Sequence, residues 1–215
     1  MNQLINKTPI VRSAGKRLSR YLRLKKDIYR LKRLRSADRI RLVVGSSGVH
    51  HAGWVYTDIE YLDLLKPDDW ERFFLRNSID AILAEHVWEH LAAGQGLEAA
   101  KRCFEYLRPG GYLRAAVPDG FHPNEDYLDG VRPGGTGLGA EDHQVLYDHH
   151  SFEQLFVKAG FRVELLEYFD AAGEFHYREW SNADGIVSRS SRHDWRNQDG
   201  ALNYTSIILD AHKDV

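Results

Sequence analysis

Residues 79–117 read IDAILAEHVWEHLAAGQGLEAAKRCFEYLRPGGYLRAAV. Ile79 to Ala84 is a short apolar run, of a length that suits a buried strand. Gln95 to Leu107 carries a helical pattern. Arg108-Pro109-Gly110-Gly111 stops it, because proline cannot continue a helix and glycine accepts positive φ. Tyr112 to Val117 is a second strand. Strand, helix, strand at this spacing is a parallel crossover unit, and such crossovers are right-handed.

Working outward, the same alternation continues. Ile40-Arg41-Leu42-Val43-Val44 is a β-branched run ending at Gly45, and Trp54 to Asp58 is a further strand. Pro67 to Phe74 predicts a short helix, with proline near its start and acids in its first turn. Downstream, Ser151 to Ala159 predicts a helix with Ser151 as N-cap and Gly160 just past its end. Phe161 to Phe169 and Tyr204 to Ala211 are the last strands. The pattern predicts an α/β domain: a doubly wound, mostly parallel, Rossmann-like sheet with helices on both faces. Ligands of such sheets sit beyond the carboxyl ends of the strands, where the strand order reverses. That rule selects the residues that matter.

Composition fits one domain with an appendage. The chain has 215 residues, 43% hydrophobic and 28% charged, which excludes wholesale disorder. A single cysteine, Cys103, excludes a disulfide framework and a multi-cysteine zinc site; it falls inside a predicted helix and reads as a small buried hydrophobe. No run of about 18 apolar residues is present, and the N-terminus has no apolar signal core, so the expected setting is cytoplasmic.

The net charge of -2 hides an asymmetry. Residues 1–41 hold 14 Lys/Arg against Asp27 and Asp38, a balance of +12. The remaining residues therefore carry -14. We divide the chain into a basic arm, residues 1–37, and an α/β domain, residues 38–215, with 171–202 inserted before the last strand. Within the arm, residues 11–35 predict an amphipathic helix, with Leu18, Tyr21, Leu22, Leu24, Ile28, Tyr29 and Leu31 on one arc. It can pack on the body, or meet a membrane surface or an acidic partner. The acidic body argues against nucleic acid as a partner of the main domain.

The strand ends carry the chemistry. The first strand runs into Gly45-Ser46-Ser47-Gly48, a small-residue turn that lets a ligand approach the backbone. Thirteen residues after Gly45, Asp58 can accept hydrogen bonds from both hydroxyls of a ribose. The strand Ile79–Ala84 ends in Glu85-His86-Val87-Trp88-Glu89-His90-Leu91, and Tyr112–Val117 ends in Pro118-Asp119. His86 and His90 are four apart, but H-V-W-E-H lacks the glutamate beside the first histidine that H-E-x-x-H zinc sites have.

Taken together, the Gly45–Gly48 turn, Gly53-Trp54 with Asp58, Ser78 to Ile82, the E-H-x-x-E-H-L block at 85–91, the L-x-P-G-G block at 107–111 and Val117-Pro118-Asp119 resemble the class I S-adenosylmethionine-dependent methyltransferases. The subgroup most similar is that of small predicted methyltransferases of uncharacterised substrate. The resemblance spans about residues 38–170. It implies a seven-stranded sheet with an antiparallel last strand, and S-adenosylmethionine as cofactor. It also implies that Gly45, Ser46, Ser47 and Gly48 contact the methionine part, that Asp58 holds the ribose, and that Asp63 and Leu64 bound the adenine. Glu85 and His86 would lie near the methionine part or the acceptor. The implied reaction is methylation of a small or medium-sized acceptor, such as an O or N atom of a sugar or other metabolite. The alternative is a binding or interaction module that keeps the fold without turnover. Three features depart from the family: Val43 where an acid or amide is usual, G-S-S-G in place of G-x-G-x-G, and no room for a helix between Gly45 and Gly53.

An acceptor hydroxyl or amine needs a base within hydrogen-bond reach. The candidates are Asp119, His122, Glu125, Asp126, Asp142, His143, His149 and His150. His143 is our choice, oriented by Asp142 or Asp119, because imidazole exchanges protons near neutral pH. Residues 130–139, GVRPGGTGLG, form either a lid or a plain surface loop. His122, Asp142, His143 and His149 lack tight ligand spacing, so no metal is expected. The insertion, rich in Trp, Tyr, His and Arg, suits either a pocket wall or a homodimer contact.

The basic arm yields one prediction. The full-length chain partitions onto anionic vesicles at low salt, and a chain of residues 38–215 does not; equal partitioning in a sedimentation assay would contradict a surface-recruiting arm.

Overall fold

A computed structural model of the chain describes residues 25, 28–29, 31–34, 37–46, 51–92, 94–198 and 200–215. The strands are β1 (Arg41–Val44), β2 (Val55–Tyr56), β3 (Ile79–Glu85), β4 (Leu107–Pro118), β5 (Arg162–Phe169), β6 (Phe175–Tyr177) and β7 (Ser206–His212). The helices are α1 (Pro67–Phe73), α2 (Gln95–Tyr106), α3 (Glu125–Val131) and α4 (His149–Lys158). The seven strands lie in the order β2-β1-β3-β4-β7-β5-β6. β1 pairs in parallel with β2 and β3, and β3 with β4. β7 runs antiparallel between β4 and β5, and β6 antiparallel at the edge against β5. This is the expected α/β, Rossmann-like class, with five strands in one direction and two in the other.

The alternation of side chains along each strand sorts the core into two faces. Leu42 and Val44 of β1, Ile82 and Ala84 of β3, Leu113, Ala115 and Val117 of β4, and Ile207, Leu209 and Ala211 of β7 join one large apolar cluster. α1, α2 and α4 cover it with Trp70, Phe73, Ala99, Ala100, Cys103, Tyr106, Phe152 and Phe156. Cys103 is fully buried, as expected of a small hydrophobe, and burial pushes its thiol far up.

The other face is Val43, Ala81, Leu83, Ala116, Leu166 and Ile208, and it is closed by Trp54, Trp180 and Val187. Two of those three come from the insertion. The face that helices cover in a doubly wound sheet is covered here by coil. The reason lies in chain length, since too few residues separate β1 from β2 for a helix to cross that face.

Coil has few apolar side chains to offer, so charges rising from the sheet hold it. Arg114, 1% exposed, makes a two-pronged pair with Asp210 on the neighbouring strand at 2.8 and 2.7 Å. Its remaining nitrogen donates to the carbonyls of Ser181 (3.0 Å) and Gly185 (2.8 Å). Fully buried Glu167 accepts from Trp180 Nε1 and from the Ser191 N–H, both at 2.8 Å. Glu85 accepts from the backbone N–H groups of Ser188 (3.0 Å) and Arg189 (2.8 Å). Three sheet residues thus pin 180–191 in place.

Some expected boundaries shift. The N-cap of α4 is Asp148, whose carboxylate accepts from Ser151 N at 2.7 Å while Ser151 Oγ accepts from Asp148 N, so Ser151 sits at the third helical position of a capping box. β2 has two residues rather than five. The insertion contributes β6 and α3 replaces part of a stretch read as loop. In the arm, residues 11–24 of the expected helix lie outside the described residues; Lys25, Ile28, Tyr29 and residues 31–33 are helical, and Leu31 is fully buried in the larger cluster.

Removing one partner of a buried, hydrogen-bonded ion pair costs about 3–5 kcal/mol. Arg114→Met should lower unfolding free energy by that order in urea titration, and the loss should exceed that of Arg162→Met, whose pair with Asp214 is exposed. Equal losses would refute the pinning role.

Candidate functional site

β1 is the point where the chain first steps one way in the sheet, to β2, and then the other, to β3. Over the carboxyl ends of β1 and β3 opens a cavity of about 1000 Å³. Gly45 and Ser46 form its floor on one side, Glu85, His86, Glu89 and His90 on the other. α3 and the loop 137–140 make one wall, and Ser188 to Arg196 with Asn203 and Tyr204 make the roof. Leu138 and Trp195, both exposed, stand among its lining residues.

Gly45 has φ +61°, and a Cβ there would meet Val87 Cγ2 at 2.6 Å, so the turn needs glycine both for conformation and for space. Ser46 is buried; its N–H donates to Thr57 O at 3.0 Å, and its hydroxyl lies 3.3 Å from both carboxylate oxygens of Asp58. The strand-end serine and the strand-end acid are therefore neighbours. Ser47 and Gly48 lie outside the described residues.

At the end of β3, His86 takes φ +55°, a left-handed conformation that costs a side-chain-bearing residue about 1–3 kcal/mol. The turn swings its ring between two partners. Nε2 is 3.0 Å from Ser206 Oγ, and Nδ1 is 3.0 Å from Glu89 Oε1. Ser206 gives its proton to Arg189 O at 2.7 Å, so the hydroxyl accepts from His86. Glu89 is 0% exposed. Burial, the largest single influence, pushes its carboxyl up, but the adjacent His86 ring, a backbone N–H and His90 together pull the other way, and the net effect is downward. Neither of its oxygens has an aligned hydrogen-bond donor among the described residues.

Glu89 also positions its surroundings through its backbone. Its carbonyl accepts from Gln144 N at 2.7 Å and Val145 N at 3.2 Å. That docks the segment after the glycine-rich loop onto the Trp88–His90 turn, and His143 lands beside His90 with ring centroids 4.8 Å apart. His143 Nδ1 lies 2.6 Å from Val131 O. A carbonyl only accepts, so Nδ1 carries a proton, and in the neutral ring the lone pair is on Nε2. The loop itself is tightly tied: Gly137 N donates to Gly130 O at 2.9 Å, and a Cβ at Gly137 would come within 2.6 Å of that oxygen.

In the roof, the Arg196 guanidinium grips Asp194 at 2.7 and 2.6 Å and lies 3.3 Å over the Tyr204 ring. Tyr204 in turn meets Tyr127 edge-on at 4.9 Å.

Several sequence-predicted site residues find other work. Asp63 accepts from Leu65 N and pairs with Lys66, and Leu64 is a core residue; neither lines the cavity. Glu85 lines it, but its carboxylate is occupied by the roof backbone. Asp119 does not orient His143. It is fully buried, accepts from Phe169 N (2.7 Å) and Phe121 N (3.0 Å), and joins β4 to β5; burial pushes its carboxyl up to about 6. Asp142 is exposed, and the orienting acceptor for His143 is the Val131 carbonyl instead of either aspartate. Glu89 and His90 complete the corner at which His143 arrives; the sequence reading weighed His90 only as a zinc partner of His86 and set it aside, and did not select Glu89. Their signal was an acid inside an apolar-flanked turn, E-H-x-x-E-H-L.

No family model and no curated protein matches the chain. Among solved structures, the chain path is similar to a methyltransferase of Thermotoga maritima described as S-adenosylmethionine-dependent, at 13% identity, covering 92% of this chain and 96% of that one, TM-score 0.46. It is also similar to an S-adenosylmethionine-dependent methyltransferase of Archaeoglobus fulgidus, at 12% identity, 87% and 91% coverage and TM-score 0.45. A third, from Mesorhizobium loti, has 12% identity, 84% and 94% coverage and TM-score 0.45.

His122 illustrates a buried histidine with a structural task. Its Nε2 donates to Leu202 O at 3.1 Å and its Nδ1 accepts from Asn124 N at 3.2 Å, which fixes the neutral ring. Burial lowers its pKa to about 4 from 6.5. The unfolded chain therefore binds the proton first, and stability falls as pH drops from about 6.5 toward 4. His122→Asn should flatten that limb of the urea midpoint against pH; an unchanged slope would contradict this assignment.

Proposed function

We propose that the chain is an S-adenosylmethionine-dependent methyltransferase acting on a small or medium-sized acceptor. The observation that carries the reading is the cavity over the β1/β3 reversal, with Gly45-Ser46 as its floor; Asp58 stands behind Ser46, outside the lining itself. Its volume suits a nucleoside with an acceptor alongside. The donor set suits the nucleoside as well: a glycine turn open to close approach, and a strand-end carboxylate steadied by the Ser46 hydroxyl for two ribose hydroxyls. Ser47 and Gly48 continue that turn and belong to the same proposed grip.

When bound, the cofactor supplies an electrophilic methyl group on sulfur. The chain's own residues then have three tasks. The roof, pinned by Glu85, Glu167 and Arg114, shields the cavity from water. The rigid β1 and β3 ends hold donor and acceptor in line, which is where much of the rate arises. His143, aimed by Val131, is the residue through which the acceptor sheds its proton. The acceptor corner is the one formed by Glu89, His90 and His143. Among the described residues no helix is long and apolar enough to cross a membrane.

Titration calorimetry with S-adenosylhomocysteine should show one site per chain. Asp58→Ala should weaken it at least tenfold, about 1.4 kcal/mol, while His143→Ala should keep that affinity and lose turnover once an acceptor is in hand. Absence of binding would overturn the reading; unaltered affinity in both Asp58→Ala and Ser47→Val would overturn the residue mapping. Binding without methyl transfer to any acceptor would favour a module that has lost turnover.

A further inference from the structure

The corner at Glu89, His90 and His143 has the makings of more than an acceptor wall. A carboxylate oxygen of Glu89 and one ring nitrogen from each histidine lie within 4.8 Å of one another. All three residues line the cavity; Glu89 is buried, His143 is half-buried and His90 is exposed. We propose that Glu89, His90 and His143 form a binding site for a divalent transition cation, of the class of Zn(II), Mn(II), Fe(II) or Co(II), at the acceptor end of the cavity.

Four observations carry this. First, Glu89 is completely buried, and beyond the His86 ion pair at Oε1 its carboxylate has no hydrogen-bond partner among the described residues, which leaves Oε2 unsatisfied. A buried carboxylate oxygen without a partner is expensive, and a cation is one of the few groups that could satisfy Oε2. His86 sits beside one oxygen at 3.0 Å and leaves the other to the corner. Second, the donor set of two imidazoles and one carboxylate is the one that suits these metals while leaving coordination positions open. Third, His143 Nδ1–H is committed to Val131 O at 2.6 Å. That second bond fixes the tautomer and leaves Nε2 as a ligand, as metal-binding histidines commonly require. Fourth, the residues are brought together by design of the backbone: Glu89 O holds the Gln144 and Val145 N–H groups, so the carboxylate and the distant histidine share one anchor. Ligand atoms around a bound cation stand about 3 Å apart, so side-chain adjustment closes the present spacing.

No sequence pattern announces this group, because His90 and His143 are 53 positions apart and only the fold closes that gap. A second cluster, Asp170, Glu174 and His176, has comparable spacing. There, however, Asp170 accepts from Ala172 N, Glu174 N and His176 Nε2, which accounts for the grouping as a hairpin turn.

The inference deepens the methyltransferase reading and rests on it for its consequence. A cation at this corner favours an acceptor hydroxyl, because coordination acidifies the O–H group. The proton passes to water, the oxygen bonds the methyl carbon, and the electron pair of the carbon–sulfur bond stays on sulfur. With the cation bound, the His143 lone pair holds it, and water replaces His143 as the proton acceptor.

The test uses the full-length chain after chelator treatment and dialysis, titrated with Mn(II) and followed by the loss of the free-ion electron paramagnetic resonance signal, and with Zn(II) by calorimetry. One equivalent should bind. Glu89→Gln, His90→Gln and His143→Ala should each weaken binding at least tenfold, and Asp170→Asn should leave it unchanged. Because Glu89 is buried, thermal melting checks that its variant folds, and exposed His90 provides the variant that decides if it does not. No stoichiometric binding, or binding indifferent to His90→Gln, overturns the site. S-Adenosylhomocysteine affinity, measured in the same samples, separates the two ideas: retained nucleoside binding without cation binding rejects only the cation, and loss of nucleoside binding in the wild-type chain rejects the methyltransferase reading.

Discussion

The buried pair between Arg114 and Asp210 is the constraint on which the cavity depends. It sits on the sheet face that carries no helix cluster, between adjacent antiparallel strands, and its spare nitrogen reaches the carbonyls of Ser181 and Gly185. An insertion made mostly of polar and aromatic residues has little apolar area with which to adhere. Charged side chains that find all their partners replace that adhesion with direction. Glu167 and Glu85 repeat the device nearer the cavity, each receiving backbone N–H groups of the insertion. The roof is thus placed by hydrogen-bond geometry, and it ends over the reversal of strand order.

The same logic explains why the site is strained where it is. His86 takes a left-handed backbone conformation that glycine would adopt without penalty. It does so because its ring bridges Ser206 on β7 and Glu89 on the following turn. Roof, sheet and acceptor corner converge on this one residue, since Ser206 also holds Arg189 O. The glycine-rich loop contributes in the opposite way. Its glycines allow close backbone contacts, Gly137 against Gly130 among them, so it is a tied wall as well as a surface loop.

The sheet was legible in the sequence because its strands are apolar runs with clear stops, and the β3–α2–β4 unit alone set the parallel direction. The strand-end residues Gly45, Ser46, Asp58, Glu85 and His86 followed from topology. What could not be read was who partners whom. Asp119 looked like a cleft acid, but the backbone N–H of Phe121, two residues on, and that of Phe169 on β5 claim it. Asp63 stands where an adenine contact was expected, and local capping takes it. His143 was chosen for its chemistry, and its orienting partner proved to be a carbonyl, which no side-chain pattern reveals. Glu89 was hidden inside a motif, and only its complete burial marks it out.

The function turns on what occupies the space above Gly45 and Ser46. A crystal structure of the full-length chain grown with S-adenosylhomocysteine tests it most directly. The nucleoside should lie over the ends of β1 and β3, its sugar at Asp58 and its sulfur directed toward the Glu89–His90–His143 corner. A nucleoside bound on another face, or that space filled by the chain's own side chains in the crystal, would contradict it.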